Sequence, residues 1–298
     1  MPDVQNELER ISSLIEGESP TDLERSRAVC REITSRAGSS FAVGIRLTPS
    51  RCRLDMHALY AWMRLADDAA DALAPAEQRR LVLDRFAAST ESVLAGESPS
   101  RGIWPALSHS IGSCGIKPEW FRSLLDGVRQ DLEPIAFEHD SELVQYCDRV
   151  AGNVGRCCVA IWGVRSSVVP ADAFELAGQR GRAFQLINVA RDIGDDERAG
   201  RRYVPIERLG RLGADIGDSA VRQDLLHEAH DLLESSAPLD AMVRRDAGPA
   251  MWAMTRAYTL IAHRLRMAGA GGALGGGAKL GIAVGALGRR VLVAGRLA

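Results

Sequence analysis

Apolar residues recur along nearly the whole chain at spacings of three and four, whereas period-two alternation of Val, Ile and Tyr is almost absent. The first pattern paints one apolar face on a helix; the second is what a half-buried strand needs. A chain of 298 residues written this way buries its apolar surface by packing helices on helices. Expected helices cover residues 50–73, 76–95, 118–130, 141–162, 171–191 and onward, 219–235, 239–266 and 279–297. Thr21-Asp22-Leu23-Glu24 reads as a capping box opening an earlier helix, and Gly38 as its stop. Gly, Pro and Ser fill short connections, with no repeat period and no interdomain linker. The expected architecture is all-α: a single-domain bundle of roughly ten helices. Residues 1–20 form an N-terminal segment and 21–298 the helical domain.

Composition narrows the function classes. With 46% hydrophobic and 26% charged residues, the chain reads as globular. Its 37 basic and 39 acidic residues leave a net charge of −2, which argues against a nucleic-acid partner held by bulk electrostatics. Apolar runs are interrupted well short of the ~20 residues of a membrane span. Met1–Arg10 carries acids and no apolar core, unlike a secretory signal. Cys30, Cys52, Cys114, Cys147, Cys157 and Cys158 include no C-x-x-C pair, so reduced, buried thiols in a cytoplasmic protein are expected. The Gly-rich stretch 268–277 follows no strand and lacks the G-x-G-x-x-G spacing, so it reads as a connection rather than a dinucleotide loop.

Two acidic stripes carry the chemistry. In Tyr60-Ala-Trp-Met-Arg64-Leu-Ala-Asp67-Asp68-Ala-Ala-Asp71, Asp67 and Asp71 stand at i and i+4 on one helix face, with Arg64 and Tyr60 in the preceding turns. Like charges at that spacing repel. A solvated acidic face is the plain alternative, but Leu54, Ala58, Leu59, Ala61, Trp62, Met63, Leu65, Ala66, Ala69 and Ala70 surround the acids with apolar surface. A helix so flanked is largely buried, and a buried acid without a partner is costly. Mg²⁺ fits, since it takes one or two carboxylates, waters and substrate phosphates. The second stripe is Gln185, Asn188, Asp192 and Asp196, stepping by three and four along a helix otherwise bearing Phe184, Leu186, Ile187, Val189 and Ile193. Arg191, Arg198, Arg201 and Arg202 lie close enough in sequence to meet phosphates. Two such stripes facing each other would hold metal ions and two diphosphates over an apolar cavity, a site for making a carbocation away from water.

With these motifs the chain resembles the squalene/phytoene synthase family of head-to-head prenyl transferases, over about residues 20–290. Residues 58–71 are similar to the family's first aspartate motif and its preceding arginine. Tyr146-Cys-Asp-Arg-Val150-Ala-Gly152-Asn-Val-Gly155 resembles its Y-x-x-x-V-A-G-x-V-G helix. Residues 185–196 resemble Q-L-x-N-x-x-R-D-x-x-E-D, and Gly200-Arg201-Arg202-Tyr203-Val-Pro205 resembles the R-G-R-x-Y-x-P just after it. Asp131 matches a further position near the pocket. Two departures stand out: Asp195 where Glu is usual, and Ser40-Phe41-Ala42 where S-F-Y is usual.

The resemblance implies an isoprenoid-synthase helical fold with a central apolar cavity, and Mg²⁺-dependent (or Mn²⁺-dependent) joining of two allylic diphosphates through a cyclopropyl diphosphate. Carried over by position, Asp67, Asp71, Asp192 and Asp196 are catalytic, and Asp68, Asn188 and Asp195 join them as metal ligands. Arg64, Tyr60, Asp131, Tyr146, Val150, Gln185, Asn188, Arg201 and Tyr203 contact substrate, and Gly152 and Gly155 allow close helix approach. NADPH use stays open. Two farnesyl diphosphates giving presqualene diphosphate or squalene is the first reading, and two geranylgeranyl diphosphates giving phytoene the second. A non-catalytic assembly or binding factor should have lost aspartates from one motif, and both are intact. A terpene cyclase should carry Ser where Asp192 stands. Expected partners are prenyl diphosphates, downstream isoprenoid enzymes and a peripheral membrane contact through an amphipathic stretch at 279–296. His227-Glu-Ala-His230 misses the H-E-x-x-H spacing and reads as an exposed helix face.

Overall fold

The computed structural model describes residues 3–16, 22–36, 41–97 and 99–268, together with Ile282 and Ala286. In chain order the elements are α1 (Asp3–Glu16), α2 (Leu23–Arg36), α3 (Phe41–Leu47), α4 (Arg53–Asp71), α5 (Ala76–Leu94), α6 (Trp104–Cys114), α7 (Pro118–Gln130), β1 (Ile135–Ala136), α8 (Asp140–Cys147), α9 (Asn153–Trp162), α10 (Pro170–Arg198), β2 (Arg201–Arg202), α11 (Ile206–Leu212), α12 (Ser219–Ser235), α13 (Leu239–Met242) and α14 (Gly248–Ala268). The all-α expectation holds: among the described residues the only sheet is the parallel pair β1–β2. The helix expected at 279–297 lies outside the described residues, apart from Ile282 and Ala286, which are helical and buried.

The chain divides into two compact units. The first comprises residues 1–38 and 50–133. Its core is aromatic. The Trp62 ring meets Phe121 edge-on at 4.7 Å and Phe86 at 5.6 Å, and Phe86 meets Trp104 at 5.3 Å. Buried indoles need partners for their N–H groups: Trp62 donates to the Thr90 hydroxyl at 3.0 Å and Trp104 to the Ile15 carbonyl at 2.7 Å. The second bond ties α1 into this unit, where Leu8, Ile11 and Ile15 are buried. At the start of α2 the cap is Asp22, whose carboxylate accepts from the Arg25 amide at 2.8 Å. Thr21, the cap expected from sequence, lies outside the described residues.

The second unit comprises residues 39–49 and 134–298. The 29-residue α10 runs through it, against α9 and α12. Buried Arg180 fastens α10 to the Ser236 carbonyl at 2.6 Å and to Asp240 at 2.5 Å. Buried Arg208 bonds Asp140 at 2.6 Å and Glu228 at 2.7 Å, joining α11 to α8 and α12. The single helix expected over 239–266 is broken. Val243 forms an antiparallel bridge with Val164, and the Arg244 amide donates to the Gly163 carbonyl at 3.0 Å. The helix restarts at Gly248-Pro249, where proline suits a first turn.

Candidate active site

In the first unit α4 delivers one acidic stripe. Its apolar positions are buried, including Met56, Leu59, Tyr60, Trp62 and Leu65, which pins the rotation of the helix. Asp67 and Asp71 therefore leave on one side. Asp67 keeps an exposed face, yet its carboxyl is pushed up to about 7 by loss of solvation, then by Asp71 and Asp131, with Arg64 acting the other way. That influence places Asp131, at the end of α7, in the same electrostatic neighbourhood. Arg64 is committed to Asp68 at 2.6 Å, and Tyr60 also acts on its guanidinium. Asp68 is thus drawn to Arg64 rather than to the Asp67–Asp71 pair.

In the second unit α10 delivers the other stripe. Leu186, Ile187, Val189, Ala190 and Ile193 are buried, while Gln185, Asn188, Asp192 and Asp196 are half-buried. The Asn188 amide donates to Gln185 Oε1 at 3.2 Å. Arg191 grips Asp192 through two bonds, at 2.7 and 2.5 Å. Asp196 sits 3.5 Å from Arg201. Burial pushes the Asp196 carboxyl up to about 6; Arg201 opposes that, and Asp192 and Asp195 add to it. Asp195 itself is 74% exposed and ion-paired to Arg198, off the stripe.

The β1–β2 pairing fixes the path of the chain beyond α10. Ile135 pairs with Arg201 and Ala136 with Arg202. Two residues past Arg201, the Tyr203 ring stacks on Tyr146 at 4.7 Å, and the Tyr146 hydroxyl donates to that of Tyr203 at 3.2 Å. Phe137 completes this buried aromatic group. Val150 lies half-buried in a π-turn over Asp148–Gly152. The glycines in this helix answer to contact: a Cβ on Gly155 would come within 2.3 Å of the Ala177 carbonyl oxygen. Sequence reasoning missed Tyr258 on α14. Its ring lies parallel to Phe184 at 4.1 Å, and it acts electrostatically on Arg191. The one signal for it was a lone tyrosine in an apolar helical run.

Other readings resolve simply. His227 and His230 are exposed and face Asp231 and Glu234 one turn on. All six cysteines are free thiols, and all but Cys114 are buried, with burial pushing Cys30 and Cys158 up to about 12. Among the described residues, no three His, Cys, Asp or Glu side chains form a ready-made metal cage. The donor set still fits Mg²⁺: each unit offers two carboxylates at i and i+4, and phosphates and waters can supply the remaining ligands. Crowded acids that burial and mutual repulsion push toward neutrality are what a dication would relieve.

Known proteins similar to this chain identify its family. The family model described as Squalene/phytoene synthase matches residues 34–282. A presqualene diphosphate synthase of Rhodopseudomonas palustris is 36% identical over 62% of this chain and 64% of its own length. The chain thus spans a little under two thirds of that relative. A 15-cis-phytoene synthase of Synechococcus elongatus is 30% identical over 77% of this chain and 80% of its own length. The crystal structure of a dehydrosqualene synthase superposes with a TM-score of 0.80 over 89% of this chain and 96% of that one, at 23% identity, which bears on the fold. With both stripes in place and the match running from α2 to Ile282, the chain belongs to the squalene/phytoene synthase family.

Proposed function

We infer that the protein condenses two allylic prenyl diphosphates head to head, with farnesyl diphosphate as substrate and presqualene diphosphate as the first product. The observation that carries this is the carboxyl pair of α4, with Asp67 pushed up to about 7 beside Asp71 and Asp131, together with its counterpart Asp192–Asp196 on α10. Both pairs are intact, which a non-catalytic member would not need. Asp67, Asp71, Asp192 and Asp196 would hold Mg²⁺. Bound there, the metal supplies charge neutralisation of the departing diphosphate. Gln185, Asn188 and Arg201 hold diphosphate oxygens, and Arg64 adds a guanidinium at the first stripe. The Tyr146–Tyr203 pair presents aromatic faces that favour a developing cation.

Substrate length rests on the relatives. The presqualene diphosphate synthases of Rhodopseudomonas palustris and Zymomonas mobilis, at 36% and 34% identity, support farnesyl diphosphate. A second reading, two geranylgeranyl diphosphates giving phytoene, is favoured by the longer reach of the Synechococcus relative, 77% of this chain. The test is purified protein with Mg²⁺ and either the C15 or the C20 diphosphate, with and without NADPH, and products identified by mass. A C30 diphosphate from the C15 substrate is expected, with squalene appearing only if NADPH is used. A C40 hydrocarbon from the C20 substrate alone would establish the second reading, and no condensation from either would overturn both.

A further inference from the structure

The helix joining Tyr146 to Trp162 is wound through a π-turn, and an ion pair spans that turn. The Asn153 amide donates to the Asp148 carbonyl five residues back, where an α-helix would bond four back. Across the turn, Arg156 holds Asp148 through two bonds, Nη1 to Oδ2 at 3.0 Å and Nη2 to Oδ1 at 2.9 Å. Arg156 Nη1 also donates to Asn153 Oδ1 at 3.0 Å. Eight residues of regular α-helix turn through about 800°, leaving their ends about 80° out of line. One surplus residue in the turn absorbs most of that mismatch, so Asp148 and Arg156 meet only because the helix is π-wound here.

The pair is also keyed to α10. A Cβ on Gly178 would come within 2.4 Å of Arg156 Nη2, and a Cβ on Gly152 within 2.4 Å of Asp148 Oδ1. The ion pair therefore fills space that these two glycines leave open. Arg182, on α10, approaches Asp148 at 4.0 Å. Side-chain exposure is 14% for Arg156 and 31% for Asp148, so both charges are poorly solvated; removing Asp148 strips Arg156 of its counter-charge, and removing Arg156 leaves Asp148 the more distant Arg182.

We propose that the Asp148–Arg156 pair is a conformational lock: it holds the π-turn and thereby sets the rotation of Tyr146 against Tyr203, making both charged residues positioning residues for the reaction inferred above. Without the pair the turn relaxes to α-helix. Losing the surplus residue rotates the chain before it by about 100° relative to the chain after it. Tyr146 then leaves Tyr203, while the diphosphate contacts on α10 stay in place. The kinetic part of this proposal rests on the proposed function; the structural part does not.

The test uses the full chain as Arg156→Gln, Arg156→Lys, Tyr146→Ala and the double variant Arg156→Gln/Tyr146→Ala. With farnesyl diphosphate and Mg²⁺, Arg156→Gln is expected to lower kcat at least about tenfold, with KM within about threefold, because misplacing a reacting-site group costs rate more than binding. Arg156→Lys recovers part of that loss. In the Tyr146→Ala background, where no ring is left to misplace, the added loss from Arg156→Gln falls below about threefold, since the lock acts through Tyr146. Equal losses in both backgrounds, or a change in KM alone, would overturn the proposal. A crystal structure of Arg156→Gln needs no turnover. The proposal expects the Asn153 backbone N–H on the Arg149 carbonyl, which in the wild type accepts from the Asn153 side-chain amide at 3.2 Å, and the two tyrosine hydroxyls parted; an unchanged π-turn with the tyrosines still stacked overturns it. If wild type condenses no prenyl diphosphate, the proposed function fails and the crystal structure still decides the lock. If Arg156→Gln does not fold, Arg156→Lys is read in the same two ways.

Discussion

The fold disfavours the ionised form of Asp67. Its carboxyl is pushed up to about 7, above the ordinary unfolded value of about 3.9. The folded chain therefore binds more protons than the unfolded chain between those pH values, and stability falls as pH rises through that window. Asp67→Asn removes the effect. In chelated buffer the variant should match wild type near pH 4 and unfold at a higher temperature at pH 8. Because Asp67 keeps an exposed face, solvent screening limits the gain to under about 1 kcal/mol, a shift of no more than about 4 °C. A variant less stable than wild type at pH 8 would contradict this reading of the site. The stripe was legible in the sequence because spacing of i and i+4 on a helix is settled locally. Asp131 entered only through the family resemblance, and the stacking of Tyr258 on Phe184 was not legible, because each joins residues far apart in the chain.

Helices whose stripes and bounding residues agree were readable to the residue: α7 starts at Pro118 and α12 at Ser219, as expected. α1, α3, α6 and α11 went unpredicted. α1 is polar apart from Val4, Leu8, Ile11, Leu14 and Ile15, α6 carries Gly112, a poor helix former, and α3 and α11 are only seven residues long. The break at Val243 and the π-turn were hidden for a different reason: each depends on a partner element, Val164 in one case and α10 in the other. Close approach makes the glycines of α10 unequal. A Cβ on Gly181 would lie 2.2 Å from the Ala151 carbonyl oxygen, which is backbone and cannot swing away, while Gly194 has nothing within 4 Å. Gly181→Ala should destabilise by about 1–3 kcal/mol through overpacking. Gly194→Ala should stabilise by about 0.5–1 kcal/mol by restricting the unfolded chain and improving helix propensity. Urea midpoints for the two variants check this, and shifts of the same sign would contradict the packing described.

For the molecule as a whole, the proposed function, with lipid diphosphates as substrate and first product, implies traffic with a bilayer. No described helix is long and apolar enough to cross a membrane. The stretch 279–296, with Lys279, Arg289, Arg290 and Arg296 set among apolar residues, lies outside the described residues apart from the buried Ile282 and Ala286, and its role as an amphipathic membrane contact is a proposal. The full chain should sediment in part with anionic liposomes at low salt and less at high salt, because the attraction of surface cations to lipid headgroups is screened. Binding that resists both salt and carbonate would mean an integral anchor instead.

The proposed requirement for both acidic stripes can be measured as diphosphate release. Wild type, Asp67→Asn and Asp192→Asn are incubated with farnesyl diphosphate under saturating Mg²⁺, and again with chelator. Wild type should release diphosphate only with the metal, and each variant should lose at least about a hundredfold of that rate, with Asp67→Asn unfolding no earlier than wild type at the same pH. Either variant running near the wild-type rate, or release by wild type in chelator, would contradict the account.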